Sequence, residues 1–196
     1  MAKTYNEKII FGMSNIHVAT VNEDGTFGVP VQILGGKAVE ASFEASEKIV
    51  YADNKAVYND KRITKGSGKV SVLGLTTDEK CLLAGTENMA GGLALNADMN
   101  APSLALLFEQ EKADGGKLLN VIYNVQFAIP AISAVTTEGE MSEQVSDLDF
   151  TCLPDLNKGF FFYTVDTTDA KADTEMVGKW FTEVQMPKKV VPAQSK

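Results

Sequence analysis

Cysteine, histidine and tryptophan are scarce in this 196-residue chain, which has two Cys, one His and one Trp. The spacing of Cys81 and Cys152 fits no zinc pattern, and two buried thiols are expected rather than a disulfide. With His17 as the only imidazole, set inside a predicted strand, a serine or cysteine nucleophile has no evident base, and His17 reads as a packed or surface residue. Positive charge is also short. Against 26 Asp and Glu stand 18 Lys and Arg, a net charge of −8, which argues against direct nucleic-acid binding, because phosphate contacts need clustered cations. It suits an abundant soluble protein, or a surface to which polyanions must not stick. No long hydrophobic run occurs: residues 127–135 are interrupted by Pro130 and too short to cross a bilayer. Residues 1–7 are polar, so no secretory signal is expected.

Catalytic patterns fail on the same scarcity. Gly66-Ser67-Gly68-Lys69 lacks the glycine and the following Ser or Thr that a phosphate loop requires, since Ile63 and Val70 hold those positions. Asp166, Asp169 and Asp173 lack the glycine and glutamate of a calcium loop and read as a solvated turn. Glu109 with Glu111, and Asp147 with Asp149, stand two apart on strands, a spacing that could serve a glycosidase but that any polar sheet face produces. No catalytic, cofactor or metal site is expected.

What is present is strand. Residues 62–75 form a long strand, with Ile63, Val70 and Val72 as β-formers and Gly66-Ser67-Gly68 as a kink or bulge. That strand feeds the single expected helix, residues 77–89, which Thr76 and Glu79 open as a capping box and Asp78 and Glu79 favour through the dipole. Gly85 and Gly91-Gly92 are candidate stops. Upstream, residues 8–13, 15–21 and 29–34 are candidate strands. Residues 39–46 then alternate cleanly, with Val39, Ala41, Phe43 and Ala45 on one face and Glu40, Ser42, Glu44 and Ser46 on the other. Residues 48–60, with Tyr51, the turn pair Asp53-Asn54 and Tyr58, read as a protruding hairpin or long loop, of a length that is usually functional or disordered.

Further on, Leu104, Leu106 and Phe108 share a face opposite Glu109 and Glu111. After the Asp114-Gly115-Gly116 turn, Leu119, Val121, Tyr123, Val125 and Phe127 share one face against Asn120, Asn124 and Gln126. Residues 143–153 alternate again, with Leu148, Phe150 and Cys152 inward. Residues 160–165, Phe-Phe-Phe-Tyr-Thr-Val, read either as an interior strand or as a binding platform. Residues 180–185 could add a short strand. The whole reads as one domain over residues 1–185 with an extended arm at 186–196 carrying Lys188 and Lys189.

Taken together, Tyr51-Ala52-Asp53-Asn54 with Tyr58, the Gly68-Lys69-Val70 strand leading to one helix, the hairpin through Tyr123-Asn124-Val125-Gln126-Phe127, Thr136-Thr137-Glu138-Gly139-Glu140 and Trp180-Phe181 make the chain resemble the phi13-type major tail proteins, the tail tube proteins of siphophages of Gram-positive bacteria. The resemblance implies a mainly β fold of two packed antiparallel sheets, sandwich or half-barrel, flanked by one helix. It implies homohexameric rings stacked into a tube that DNA traverses during ejection, and a virion location. Tape measure, tail terminator and distal tail proteins would be partners, with no cofactor and no membrane. By position, Tyr51, Asp53, Asn54 and Tyr58 would contact the next ring and the Lys188-Lys189 arm would bridge subunits. Glu40, Glu44, Glu109, Glu111, Asp147 and Asp149 would be candidates for an acidic lumen wall. The alternatives are a monomeric β-sandwich that binds a ligand or carbohydrate through Tyr51, Tyr58 or the Phe160 cluster and, third, an acidic-pair hydrolase.

Overall fold

The computed structural model describes residues 5–128, 143 and 145–188. Half of the chain is strand and 9% is helix, so the fold is mainly β. After a 3-10 turn at Tyr5–Glu7 come β1 (Ile10–Thr20), β2 (Val31–Gln32), β3 (Gly36–Ala52), β4 (Lys55–Val72), α1 (Thr77–Ala84), β5 (Leu104–Lys112), β6 (Lys117–Phe127), β7 (Ser146–Cys152), β8 (Phe162–Asp166) and α2 (Thr174–Gly178). Among the described residues the eight strands belong to one antiparallel sheet rather than to two separate sheets: seven run in the order β2-β1-β5-β6-β7-β4-β3, and β8 joins off this path. The sheet forks at β6, whose first half pairs with β8 and whose last residues pair with β7.

The sheet curls. Gly36, at the start of β3, lies so close to Ile16 and Met13 of β1 that a Cβ there would sit 2.5 Å from Ile16 Cδ1. The inner face encloses one core, built from Ile16, Val18, Val70, Val72, Leu104, Leu106, Phe108, Ile122, Val125, Phe127, Leu148 and Phe150, with Leu83 of α1 reaching into it. A second core lies on the other face of β1, β5, β6 and β8, where Ala105, Leu107, Leu119, Val121, Tyr123 and Val165 meet Met176 and Trp180. Strands β5 and β6 are therefore buried on both faces: Leu104, Leu106 and Phe108 share a face as expected, while Ala105 and Leu107 enter the second core, and the single apolar face expected of β6 is split between the two cores.

The β6 face is split by a bulge. Asn124 sits in the left-handed region at φ 49°, and the β5–β6 register shifts between Leu104 and Leu106. One extra residue in a strand reverses the face of everything beyond it. Leu119, Val121 and Tyr123 thus face the second core, whereas Val125 and Phe127 face the first. Asn15, at φ 61°, does the same in β1 and joins what the sequence suggested as two strands into one.

Helix α1 begins as expected. Glu79 N–H donates to Thr76 Oγ1 at 3.3 Å, and Thr76 N–H donates to the Glu79 carboxylate at 2.7 Å. It stops five residues earlier than expected, because Gly85 at φ 71° closes it with an N–H bond to the Cys81 carbonyl. Thr76→Ala is expected to cost about 1 kcal/mol, read as a lower urea midpoint with unchanged slope. A midpoint equal to that of the unmutated protein would contradict a role for this cap.

The short strand expected at residues 180–185 does not form, and a second helix that the sequence reading did not expect precedes that segment. Asp173 accepts from the N–H groups of Glu175 and Met176 and starts α2, which carries the chain to Trp180, 1% exposed. Tyr123 Oη donates to the Gln185 carbonyl at 2.5 Å and pins that segment against the sheet. Burial first, with the Tyr163 and Asp155 charges behind it, holds the Tyr123 phenol protonated well beyond the ordinary tyrosine range. His17 stacks on Phe181 at 4.7 Å, a packing role as the sequence suggested.

Candidate functional site

Two features stand clear of both cores, and both are built on β3 and β4. The first is their shared hairpin. The strands pair continuously from Gly36↔Val72 to Ala52↔Lys55, so residues 48–60 are the end of a long ribbon rather than a loop. Seventeen extended residues span on the order of 55 Å. The turn is the two-residue kind that matches strand twist, with Asp53 at φ 49° and Asn54 at φ 57°, both in the left-handed region that Asp and Asn tolerate. From Gly66 on, β4 is also paired to β7, but nearer the tip, among the described residues, only β3 pairs with it.

This outer ribbon is exposed on both faces, which is unusual for its composition. Val50 pairs with Tyr58 on one face, while Ile49, Tyr51 and Ile63 belong to the other. All five are more than 40% exposed, with Tyr51 at 67% and Tyr58 at 56%. A bare two-stranded ribbon is marginal in water, and exposed apolar side chains along it mark a surface made to be covered. Of these residues the sequence singled out the two tyrosines. Ile63 was read only as a β-former, and Ile49 and Val50 went unremarked, although their β-branched composition was a usable signal.

The second feature is the outward face of β3, β4 and β7. Register places Glu40 opposite Lys69 and Lys69 opposite Asp149, and likewise sets Ser42 opposite Ser67 and Ser67 opposite Thr151. Lys69 Nζ lies 3.2 Å from Asp147 Oδ2, Ser71 Oγ donates to Asp147 Oδ1 at 2.6 Å, and Lys65 pairs with Glu44 at 3.2 Å. The hydrogen bonds from Ser71 and then Lys69 hold the Asp147 carboxyl below its ordinary value, and Asp147 raises Lys69 in return. An open groove of about 570 Å³ runs along this face, lined by Glu40, Ser42, Ser67, Lys69, Asp149 and Thr151.

Four of the six carboxylates expected to act together, Glu40, Glu44, Asp147 and Asp149, are thus neighbours on one exposed face. Two are not. Glu109 is 5% exposed and accepts from Ser14 Oγ, Asn15 Nδ2 and Lys117 Nζ, so it is a structural anion and not a wall residue. Glu111 is exposed, but it lies on β5 opposite Lys117, away from the other four. The sequence reading missed Lys65 and Lys69, which alternate with Ser67 and Ser71 and temper the negative charge.

The remaining candidates disperse. Asp166 belongs to Lys112 and Thr168, Asp169 caps the Lys171 N–H, and Asp173 caps α2. Among the described residues β8 pairs only with β6 and so stands at an edge rather than in the interior, with Phe160 and Phe162 each 38% exposed and Phe43 within about 6 Å of Phe161 and Phe162. Lys188 approaches Asp173 at 3.9 Å. Lys189 and the Thr136–Glu140 segment lie outside the described residues. Among the described residues, no group of three or more His, Cys, Asp or Glu is arranged to hold a metal ion, and no helix is long and apolar enough to cross a membrane.

The sequence matches no family model and no curated protein.

Proposed function

We propose that the chain is a structural subunit that assembles with copies of itself, in the manner of a siphophage major tail protein: hexameric rings stack into a tube within the virion, and DNA crosses the lumen without specific binding. The observation that carries this reading is the gathering of Glu40, Glu44, Asp147 and Asp149 on the exposed face shared by β3, β4 and β7. Four carboxylates against two lysines give that face an excess of negative charge. Lining a channel, such a face repels a polyanion and forms few phosphate contacts. Among the described residues nothing pairs with the outer edge of β3 or the tip-side edge of β4, and closing a ring of copies would satisfy their backbone groups. Tape measure, terminator and distal tail proteins would meet the two ends of such a tube.

A monomeric binding module, using Tyr51, Tyr58 or the part-exposed Phe160–Phe162 run, is the competing reading. Size-exclusion chromatography followed by negative-stain microscopy of the purified protein separates the two. Rings or tubes are expected. A monodisperse monomer at high concentration, retained on a glycan column, would overturn the assembly reading in favour of the module.

A further inference from the structure

We infer that the middle strand of the exposed face, β4, supplies the few phosphate contacts that DNA makes in passing, and that the carboxylates on either side keep those contacts short-lived. This rests on the proposed lumen reading and names the residues that touch the DNA backbone, which that reading leaves open.

The outward side of β4 is a strip of hydrogen-bond donors. Lys65, Ser67, Lys69 and Ser71 stand two apart with no register shift among them, so all four lie on the side of the strand away from Val70 and the core. The strands beside it carry acceptors. On β3, Glu44 stands opposite Lys65 and Glu40 opposite Lys69, while on β7 Asp149 stands opposite Lys69 and Asp147 opposite Ser71. Each cation is held by a neighbour's carboxylate. Lys65 Nζ lies 3.2 Å from Glu44 Oε2, and Lys69 Nζ lies 3.2 Å from Asp147 Oδ2, whose other oxygen accepts from Ser71 Oγ at 2.6 Å. Alternating ammonium and hydroxyl groups suit a phosphate backbone, because both donate to phosphate oxygens.

The strip is occupied but not locked. The Lys65 and Glu44 side chains are 57% and 54% exposed, and those of Lys69 and Asp147 44% and 52%. Exposed ion pairs of this kind contribute little, so a phosphate that comes alongside can take an ammonium, and the carboxylate recovers it once the phosphate has moved on. Extended backbone sets the two lysines roughly 13 Å apart. A duplex carries one charge per about 1.7 Å of its axis, so a phosphate lies near both lysines in any register. Backbone contacts of this sort read no bases. Four carboxylates against two lysines keep the balance on the side of release.

The test removes one set of partners at a time from the full-length protein. In Glu40→Gln/Glu44→Gln/Asp147→Asn/Asp149→Asn the strip loses its competitors, and fluorescence anisotropy of a short labelled duplex at about 50 mM salt should show binding on the order of tenfold tighter than to the unmutated protein. Adding Lys65→Gln/Lys69→Gln to that variant should return binding to the unmutated level. Two lysine contacts per copy imply an affinity that falls about tenfold between about 50 and 200 mM salt, and two duplexes of unrelated sequence should bind alike. Should thermal melts show that the fourfold variant does not fold, Asp147→Asn/Asp149→Asn answers the same question. Unchanged binding with the carboxylates gone, or tighter binding that survives loss of both lysines, would overturn the strip. Negative-stain microscopy of the same samples keeps this apart from the assembly reading. Tubes whose neutralised form ignores DNA retain the tube and remove the strip, and capture of DNA by a chain that stays monomeric retains the strip and removes the tube.

Discussion

Lys112→Met is expected to lower the stability of the folded chain by about 3–5 kcal/mol, the range found when one partner of a buried ion pair is removed, and its melting temperature by about 10 °C. The Lys112 side chain is 2% exposed. Its ammonium has three protons and meets three acceptors: Asp166 Oδ2 at 2.6 Å, Thr168 Oγ1 at 2.8 Å and Asp114 Oδ2 at 2.9 Å. The cluster ties the end of β5, the β5–β6 turn and the end of β8 into one unit. Removing the cation leaves two carboxylates facing each other with little water to separate them. The triple variant Lys112→Met/Asp114→Asn/Asp166→Asn should recover much of the loss, since no unpaired charge remains.

The same contacts set its pH dependence. The Lys112 hydrogen bond, then the Gly116 N–H, holds Asp114 below the ordinary aspartate value. Burial pushes Asp166 up, but the hydrogen bonds from Lys112 and Thr168 outweigh it and leave it lowered. Carboxylates lowered in the folded state contribute stability above their unfolded pKa, about 3.9, and lose it as pH falls through the folded values. For Lys112, burial acts downward, yet the bonds to Asp166 and Asp114 raise it on balance. Its contribution is complete below the unfolded lysine pKa of about 10.4 and lost only as pH rises through the folded value. The gap between the unmutated protein and Lys112→Met should thus be widest between about pH 5 and 10 and narrow as pH falls through the lowered folded values of Asp114 and Asp166. Thermal melts across that range give the answer, and a gap that does not change with pH would sink the ion-pair account.

The parts of this architecture legible in the sequence are those specified by neighbours in the chain. Thr76 and Glu79 predicted the start of α1 because a capping box is complete within four residues. Asp53-Asn54 marked the tip of the hairpin because both side chains tolerate left-handed backbone. Alternation through Val39–Ala45 correctly separated the Glu40 and Glu44 face from the core. What escaped depends on distant partners. Glu109 looked like any exposed strand carboxylate, and besides Lys117 its partners are Ser14 and Asn15, 95 and 94 positions away. Asn124 and Asn15 gave no local sign that they would reverse the faces of β6 and β1. Asp173 ahead of Thr174 and Glu175 was a readable helix start, but the acidic run from Asp166 obscured it. The charged face was half legible: two-residue spacing put Glu40 with Glu44 and Asp147 with Asp149, but that β4 lies between β3 and β7 is topology, which spacing does not encode.

Gly68→Ala is the substitution expected to disturb that face most. Gly68 lies in the middle strand of three, opposite Ala41 on β3 and Phe150 on β7. It shares the core-facing side of β4 with Gly66 and Val70, and the space where two side chains are missing is filled by the rings of Phe43 and Phe150. A Cβ on Gly68 would stand 2.1 Å from the Glu40 carbonyl oxygen and 2.4 Å from Phe150 Cζ. The ring could turn, but the carbonyl belongs to the β3 backbone and cannot retreat without loosening the strand pairing that sets Glu40 opposite Lys69. A Cβ on Gly66 meets Cys152 Sγ at 2.5 Å and Phe43 Cδ1 at 2.9 Å, both of them side-chain atoms with room to adjust. Overpacking against side chains costs about 1–3 kcal/mol. Gly66→Ala should fall in that range, and Gly68→Ala at or above about 3 kcal/mol, where a named backbone clash is needed to explain the loss. Urea unfolding of the two variants ranks them, and hydrogen exchange shows where the damage lies: faster exchange confined to β3 and β4 is expected for Gly68→Ala. Equal losses, or the reverse order, would mean that the glycines are there for chain flexibility and not to hold the charged face in register.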